Sequence, residues 1–309
     1  MNKNNEYSRQ VSLLVSLLPL IDEEDCFALK GGTAINLFFR PLPRLSVDID
    51  LLYIPMDDRP IAIKNIKAAL GRITERIHET FKGSKVQNTT EQQENSFRLI
   101  VEYNGVRVKI ELSPVIRGTV FSPKRMEVKP EVEDAFGYAE INVASHADVY
   151  AGKICAALDR QHPRDLFDIH QLYENEGLTE DLRKTFIVFL ISHQRPMNEL
   201  LNPHRKVLNG VYEKEFVDMA EIDLSLDELL SARERLIFDL NSQLTEDERQ
   251  FLLSFKNRAP EWSLLGLEDT ARIAELPSIK WKLINLDKMP ADKHAKVLAA
   301  LKSVLYPSR

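Results

Sequence analysis

The sequence predicts an α+β protein, with an N-terminal half built on a mixed sheet and an α-helical lobe after it. Residues 97–103 and 106–112 alternate apolar and polar side chains on either side of Asn104-Gly105. That dipeptide is a strong hairpin signal and puts antiparallel pairing into the sheet. Residues 44–54 form a third alternating run, with Val47, Ile49 and Leu51 on one face and Ser46, Asp48 and Asp50 on the other. From about His146 onward the apolar spacing is helical, which is the strand-then-helix order of an α+β chain.

The elements follow in order. Residues 7–18 read as an amphipathic helix, and the apolar stretch 26–29 runs into Lys30-Gly31-Gly32-Thr33 and a short helix over 34–39. Residues 61–81 carry Ile63, Ile66, Leu70, Ile73 and Ile77 at helical period, enough to cover one side of a sheet. In the second hairpin strand Val106, Val108, Ile110 and Leu112 face the core, while Arg107, Lys109 and Glu111 face away. Helices are expected over 147–158, 166–173, 182–192, 224–240 and 291–305, with Asp223 and Thr245 as N-caps. The domains expected are 1–178 and 179–309, with the helical motif 146–175 bridging them.

Charge and cysteine usage narrow the class. The chain has 41 Lys plus Arg against 47 Asp plus Glu, a formal net of -6, which excludes a generic polyanion binder. From Phe251 onward ten basic residues face six acidic ones, so basic character concentrates at the C-terminal end. Trp262 and Trp281 stand near Lys280, Lys282, Lys288, Lys293, Lys296 and Lys302, a pattern shared by solvated helix faces and by surfaces that track a phosphate backbone. Cys26 and Cys155 alone make neither a disulfide framework nor a zinc site. The apolar stretch 11–21 is too short to span a bilayer and is followed by acids rather than a cleavage site. A cytoplasmic protein with no membrane partner is expected.

The chemistry concentrates in the first half. Asp48 and Asp50 project from one strand face with Cβ atoms about 6–7 Å apart, and two such charges call for a cation between them. Mg²⁺ suits this arrangement, since it binds through one or two carboxylates and completes its shell with water and phosphates. Glu111, facing out of a strand able to neighbour the first, supplies a third carboxylate, with Glu102 as its competitor; Arg107 and Lys109 are alternative ion-pair partners for Glu111. Three acids suffice for two-metal phosphoryl transfer. Glycines at 31 and 32 let backbone N–H groups approach a phosphate, and the helix that follows favours an anion.

This constellation resembles the DNA polymerase β-like nucleotidyltransferase superfamily, with its Gly-Gly or Gly-Ser turn, Asp-hydrophobic-Asp strand and later third acid. More narrowly, Leu29-Lys30-Gly31-Gly32-Thr33-Ala34 with Arg44-Leu45-Ser46-Val47-Asp48-Ile49-Asp50 resembles the AbiEii/AbiGii toxin family. A second cluster, Lys153 with Arg160, Arg164, Asp165 and Asp168, is similar to that family's later Lys and Arg-Asp-x-x-Asp motif. Read from the residues alone, it is equally an interhelical salt-bridge network. The resemblance covers about residues 27–172.

It implies a polymerase β-like fold and a Mg²⁺-dependent, or Mn²⁺-dependent, nucleotidyltransferase that moves NMP from an NTP to an RNA acceptor, tRNA foremost. It further implies a toxin–antitoxin or phage-defence role and a separately encoded antitoxin as partner. Asp48, Asp50 and Glu111 are the implied metal ligands, and Lys153 and Asp168 join them as catalytic residues. Lys30, Gly31, Gly32, Thr33, Arg44, Ser46, Lys153 and Asp165 are the implied nucleotide-binding set. The alternatives are a non-catalytic nucleotide- or partner-binding module on the same fold, or the same site moving phosphate or NMP to a protein hydroxyl. His146, His162 and His170 lack metal-site spacing and suit capping or surface roles.

Overall fold

The computed structural model describes residues 6–89, 97–217, 219–220 and 222–307. The chain divides into two compact units, one of Met1–Val149 with Met219–Ile222 and one of Tyr150–Asp218 with Asp223–Arg309. The domains expected from sequence are 1–178 and 179–309 with the helical motif 146–175 bridging them, and the compact units divide within that motif, between Val149 and Tyr150.

The first unit opens with α1 (Glu6–Asp22), which runs through Pro19 rather than stopping before it. Proline 19 forfeits one intrahelical bond, and the buried face of Val11, Leu14, Leu18 and Ile21 holds the helix together across that gap. Strand β1 (Phe27–Lys30) leads directly into α2 (Gly31–Ala34), which continues as a π-helical turn over Ile35–Phe39. Strand β2 (Asp48–Tyr53) follows, then α3 (Arg59–Thr80), β3 (Lys85–Asn88), β4 (Phe97–Tyr103), β5 (Val106–Arg117), β6 (Lys124–Glu127), α4 (Pro130–Phe136) and β7 (Glu140–Val143). The strands form a seven-stranded sheet in the order β3-β4-β5-β2-β1-β7-β6. It is mixed, as expected: β2 runs parallel to β5 and β1 parallel to β7, while β1–β2, β3–β4, β4–β5 and β6–β7 are antiparallel. Helices α1 and α3 pack on β5, and α1 also reaches β7. The alternating apolar residues Ile49, Leu51, Val108, Ile110 and Leu112 are buried.

One sequence expectation changes here. The strand expected over 44–54 begins only at Asp48, because the N–H of Leu45 donates to the carbonyl of Met219 at 2.8 Å and Arg44 bridges to Ala220. That tie comes from far downstream in the chain and draws residues 44–47 out of the ladder. Helix α5 (His146–Asp159) is anchored at its start by Asp148, whose carboxylate accepts the N–H groups of Val120 at 2.7 Å and Phe121 at 3.0 Å.

The second unit is helical: α6 (Pro163–Asn175), α7 (Glu180–Ser192), α8 (Met197–Leu201), α9 (Asn209–Glu215), α10 (Leu226–Gln243), α11 (Glu246–Lys256), α12 (Thr270–Ala274), α13 (Pro277–Asp287) and α14 (Ala291–Leu305). Its core gathers Phe167, Phe186, Leu236, Leu240, Phe251 and Phe255, all fully buried. Thr245 caps α11 through a capping box, as expected, but α10 is capped by Ser225 and not by Asp223. The reciprocal bond decides this: Glu228 stands three residues after Ser225, whereas Leu226 holds that position after Asp223. Trp262 packs on Phe251 with ring centroids 5.2 Å apart, while Trp281 is 59% exposed. No helix among the described residues is long and apolar enough to cross a membrane.

Candidate active site

On β2 the burial pattern separates the two faces, with Ile49 and Leu51 buried and Asp48 and Asp50 half-buried. The parallel register with β5 sets Asp48 beside Lys109 and Asp50 beside Glu111. Cross-strand partners share a face, so Asp48, Asp50, Lys109 and Glu111 form one polar array. The antiparallel hairpin then places Arg98 of β4 beside Glu111. Glu102 lies elsewhere on the hairpin, opposite Arg107, and accepts from its Nε at 2.8 Å.

The array is crowded with charge. Lys109 Nζ stands 3.5 Å from Asp48 Oδ2 and 3.2 Å from Glu111 Oε2. Arg98 Nε donates to the other Glu111 oxygen at 2.6 Å. Burial raises the Asp48 carboxyl, Lys109 opposes this, and the neighbouring Asp50 and Glu111 push it further, so it stands above the usual range. For Glu111 burial also works against the charge, but Lys109 and Arg98 outweigh it and the carboxyl stands below its ordinary value.

Gly31 explains how Asp50 reaches the start of α2. Its φ is +72°, and a Cβ built there would meet Asp50 Oδ2 at 2.3 Å, so the carboxylate lies in space that only glycine leaves open. Gly32 has a similar use: a Cβ would stand 2.9 Å from an Arg44 guanidinium nitrogen and 3.0 Å from Ser46 Oγ. Thr33 is fully buried, and its hydroxyl donates to the Asp48 carbonyl at 2.5 Å. The 2.9 Å contact between Thr33 Oγ1 and Ser46 Oγ therefore has Ser46 as its donor, because the single Thr33 proton is already committed. Arg44 is buried and donates to the Leu45 carbonyl at 2.9 Å. Of the residues expected to bind nucleotide, Thr33 is thus engaged in tying the Gly-Gly turn to the acid strand, with Ser46 as its partner. Lys30 is half-buried and lies beside Asp50 in the β1–β2 register.

The second cluster belongs to the helical unit. Lys153 is 7% exposed, and its ammonium stands 2.9 Å from both Asp165 Oδ1 and Asp168 Oδ2. Arg160 clasps Asp165 through Nε at 2.5 Å and Nη2 at 2.8 Å. Burial alone would raise the Asp165 carboxyl, yet Lys153 and Arg160 hold it well below the carboxylate range. The local sequence builds this geometry. Pro163 starts α6, His162 caps it by accepting the Arg164 N–H at 3.1 Å, and Asp165 falls in the first turn, where the helix dipole favours a carboxylate. With Nδ1 accepting, His162 donates through Nε2 to Glu215 at 3.0 Å.

Whether these residues suit a divalent ion can be judged from the donor set. Among the described residues no three Asp, Glu, His or Cys side chains converge as a ready-made cage, and both Glu111 oxygens are turned to Arg98 and Lys109. Mg²⁺ asks for less, one or two carboxylates with substrate phosphates completing the shell. Asp48 and Asp50 meet that demand, and the Lys109 ammonium already stands as a cation beside Asp48 and Glu111.

Arg98 is the residue that sequence reasoning passed over. Counting back from the Asn104-Gly105 turn pairs Tyr103 with Val106 and so Arg98 with Glu111, which makes the signal readable in the hairpin register.

A mixed sheet with a Gly-Gly turn packed against a paired-acid strand defines the nucleotidyltransferase class of folds. A solved structure agrees: MenT4, a nucleotidyltransferase toxin from Mycobacterium tuberculosis H37Rv, superposes with a TM-score of 0.59 over 93% of this chain and 95% of that one, at 14% identity. The family model described as nucleotidyl transferase AbiEii toxin, type IV toxin–antitoxin system, matches residues 12–283, and the chain belongs to that family. It is a nucleotidyltransferase toxin whose family implies an NTP substrate and an antitoxin partner. No curated protein matches the sequence.

Proposed function

We propose that this toxin transfers a nucleoside monophosphate from an NTP to a hydroxyl of cellular RNA, with tRNA the foremost acceptor, in a Mg²⁺-dependent reaction within the cytoplasm. The observation that carries the reading is the array of Asp48, Asp50 and Glu111 on neighbouring parallel strands, with Gly31 open against Asp50.

Asp48 and Asp50 are the residues that would hold the metal, with Glu111 as the third acid. When bound, a divalent ion there neutralises phosphate charge and lowers the cost of deprotonating the attacking hydroxyl. The acceptor oxygen bonds to the α-phosphorus, the bond to the β-phosphate oxygen breaks, and pyrophosphate leaves. Gly31 and Gly32 open α2, whose first N–H groups have no intrahelical acceptor and suit the triphosphate oxygens. Lys30 adds positive charge at the same turn, and the Ser46 hydroxyl, which donates to Thr33, would serve a phosphate oxygen by turning its proton toward it. We assign Lys153 to the phosphates from its motif; within its own unit its ammonium is held 2.9 Å from both Asp165 and Asp168.

We assign transfer to residues 1–178 and acceptor selectivity to the helical lobe of 179–309. The lobe's exposed Lys280 on α13, Lys288 just after it, and Lys293, Lys296 and Lys302 on α14 match RNA phosphates in charge. A toxin that modifies tRNA fits equally a role in limiting phage growth.

The test is incubation of wild type and Asp48→Ala with each of four α-³²P-labelled NTPs, Mg²⁺ and total cellular RNA, read on a denaturing gel. Labelled RNA that disappears in the variant supports the reading and identifies base and acceptor. Label on protein instead of RNA overturns the acceptor class, and no label anywhere overturns the activity.

A further inference from the structure

The unusual member of the acid array is Lys109. It occupies the middle of three adjacent strands, with Asp48 beside it on β2 and Ile100 beside it on β4. Its ammonium stands 3.5 Å from one carboxylate and 3.2 Å from another, and both belong to the set assigned above to the metal. A lysine that merely solubilised this face would extend into water, yet this one is only 33% exposed. Arg98 holds the remaining Glu111 oxygen, so Glu111 has no oxygen without a cation partner.

We propose that Lys109 is a resident counter-cation that competes with the divalent ion, holding Asp48 and Glu111 together in the metal-free protein and withdrawing from them when metal binds. The inference rests on the metal reading given above and adds a positioning residue to it.

Charge and geometry both lead there. Three carboxylates, Asp48, Asp50 and Glu111, share this face with Lys109, Arg98 and, beside Asp50, Lys30, a local formal charge of zero. Without Lys109 it becomes -1. Carboxylates this close repel strongly in a half-buried setting, so a metal-free site lacking Lys109 is strained, and that strain is relieved by a divalent ion. With Lys109 present the ion must first break two ion pairs. A lysine is suited to this exchange: its single compact charge on a flexible stem swings away without leaving a fixed fork of donors to satisfy, as an arginine would. Arg98 then remains on Glu111 Oε1 while Oε2 becomes available to the metal.

The experiment is titration with Mn²⁺ alone, with free ion measured by electron paramagnetic resonance, for wild type, Lys109→Met and Asp50→Asn. Lys109→Met is expected to bind Mn²⁺ about three- to tenfold more tightly than wild type, the scale of losing competing ion pairs that are partly exposed. Its melting temperature should fall without metal and recover with it. Asp50→Asn should lose binding. Unchanged or weaker Mn²⁺ binding in Lys109→Met, with Asp50→Asn still deficient, overturns the role of Lys109 and leaves the metal reading standing. No Mn²⁺ binding by wild type or Lys109→Met overturns both.

A second measurement uses wild type only and does not depend on the variant folding. Reductive methylation followed by mass spectrometry should label Lys109 faster in the presence of Mn²⁺ than in its absence, as the ammonium leaves its carboxylates. An equal or slower rate with Mn²⁺ overturns the proposal.

Discussion

Replacing Asp165 by Asn tests how the helical unit fixes Lys153. The Asp165 side chain is fully buried and accepts from Lys153 and twice from Arg160. Removing one partner of a buried ion pair costs about 3–5 kcal/mol when the other charge is stranded. Lys153 is not stranded, since Asp168 still stands 2.9 Å away, and Arg160, 64% exposed, turns to water. The loss should therefore fall to about 2–3 kcal/mol, lowering the melting temperature by roughly 4–12 °C for a unit of this size. Lys153→Met should cost more, about 3–5 kcal/mol, because two buried carboxylates, Asp165 and Asp168, each lose an ammonium contact. The double variant should cost less than the sum of the two. The assay is thermal unfolding by circular dichroism at pH 7 and at falling pH. Because the folded Asp165 carboxyl lies below its unfolded value of 3.8, its contribution is fully present above that pH and is lost as pH falls through the folded value. The gap between wild type and Asp165→Asn should narrow accordingly in acid. A loss under about 1 kcal/mol at pH 7, or strict additivity with Lys153→Met, would refute the reasoning.

Gly31→Ala should lose about 1–3 kcal/mol of stability from the positive φ and the displaced Asp50. Transfer should suffer more, about a hundredfold, since an ångström of misplacement at a reacting centre has that effect; equal activity in the folded variant contradicts the close approach. Lys282 is held down to about 8 by burial and then by Lys256, so the folded state binds fewer protons than the unfolded one between that pH and the ordinary 10.5. Lys282→Met should therefore stabilise by about 1–2 kcal/mol at pH 7, with the gain shrinking as pH rises toward 10. Calorimetry across that range checks the sign, and a destabilised variant at pH 7 counts against it. Asp48→Ala should remain folded within about 1 kcal/mol, because burial and its acidic neighbours already disfavour that charge; a guanidinium melt that shifts much further makes Asp48 structural.

Much of this arrangement was legible because it follows local rules. The period-2 alternation around Asp48 and Asp50 sorted the faces of β2, and Asn104-Gly105 set the register that puts Arg98 beside Glu111. The outer strands were not legible. Strand β3 reads Lys-Val-Gln-Asn and β6 reads Lys-Arg-Met-Glu, and neither buries any residue. Edge strands of this kind carry no apolar period to read. The late start of β2 depends on Met219, about 170 residues downstream of Leu45, which no local pattern records. At the site, residue types announced the acids and glycines, but whether Glu111 faces metal or cations depends on distances among Lys109, Arg98 and Asp48 that emerge only once three strands are assembled. Thr33 and Ser46 were legible as part of the motif and not as the ties that brace it.

The most direct test of nucleotidyl transfer follows both ends of the triphosphate in one reaction. Purified toxin is given RNA, Mg²⁺ and an NTP labelled in parallel at the α- or the γ-phosphate, and products are resolved by gel and thin-layer chromatography. The account predicts α-label in RNA, γ-label in free pyrophosphate in equal amount, and loss of both with Asp48→Ala. Label from the γ-position in RNA, or pyrophosphate release that persists in Asp48→Ala, would contradict it.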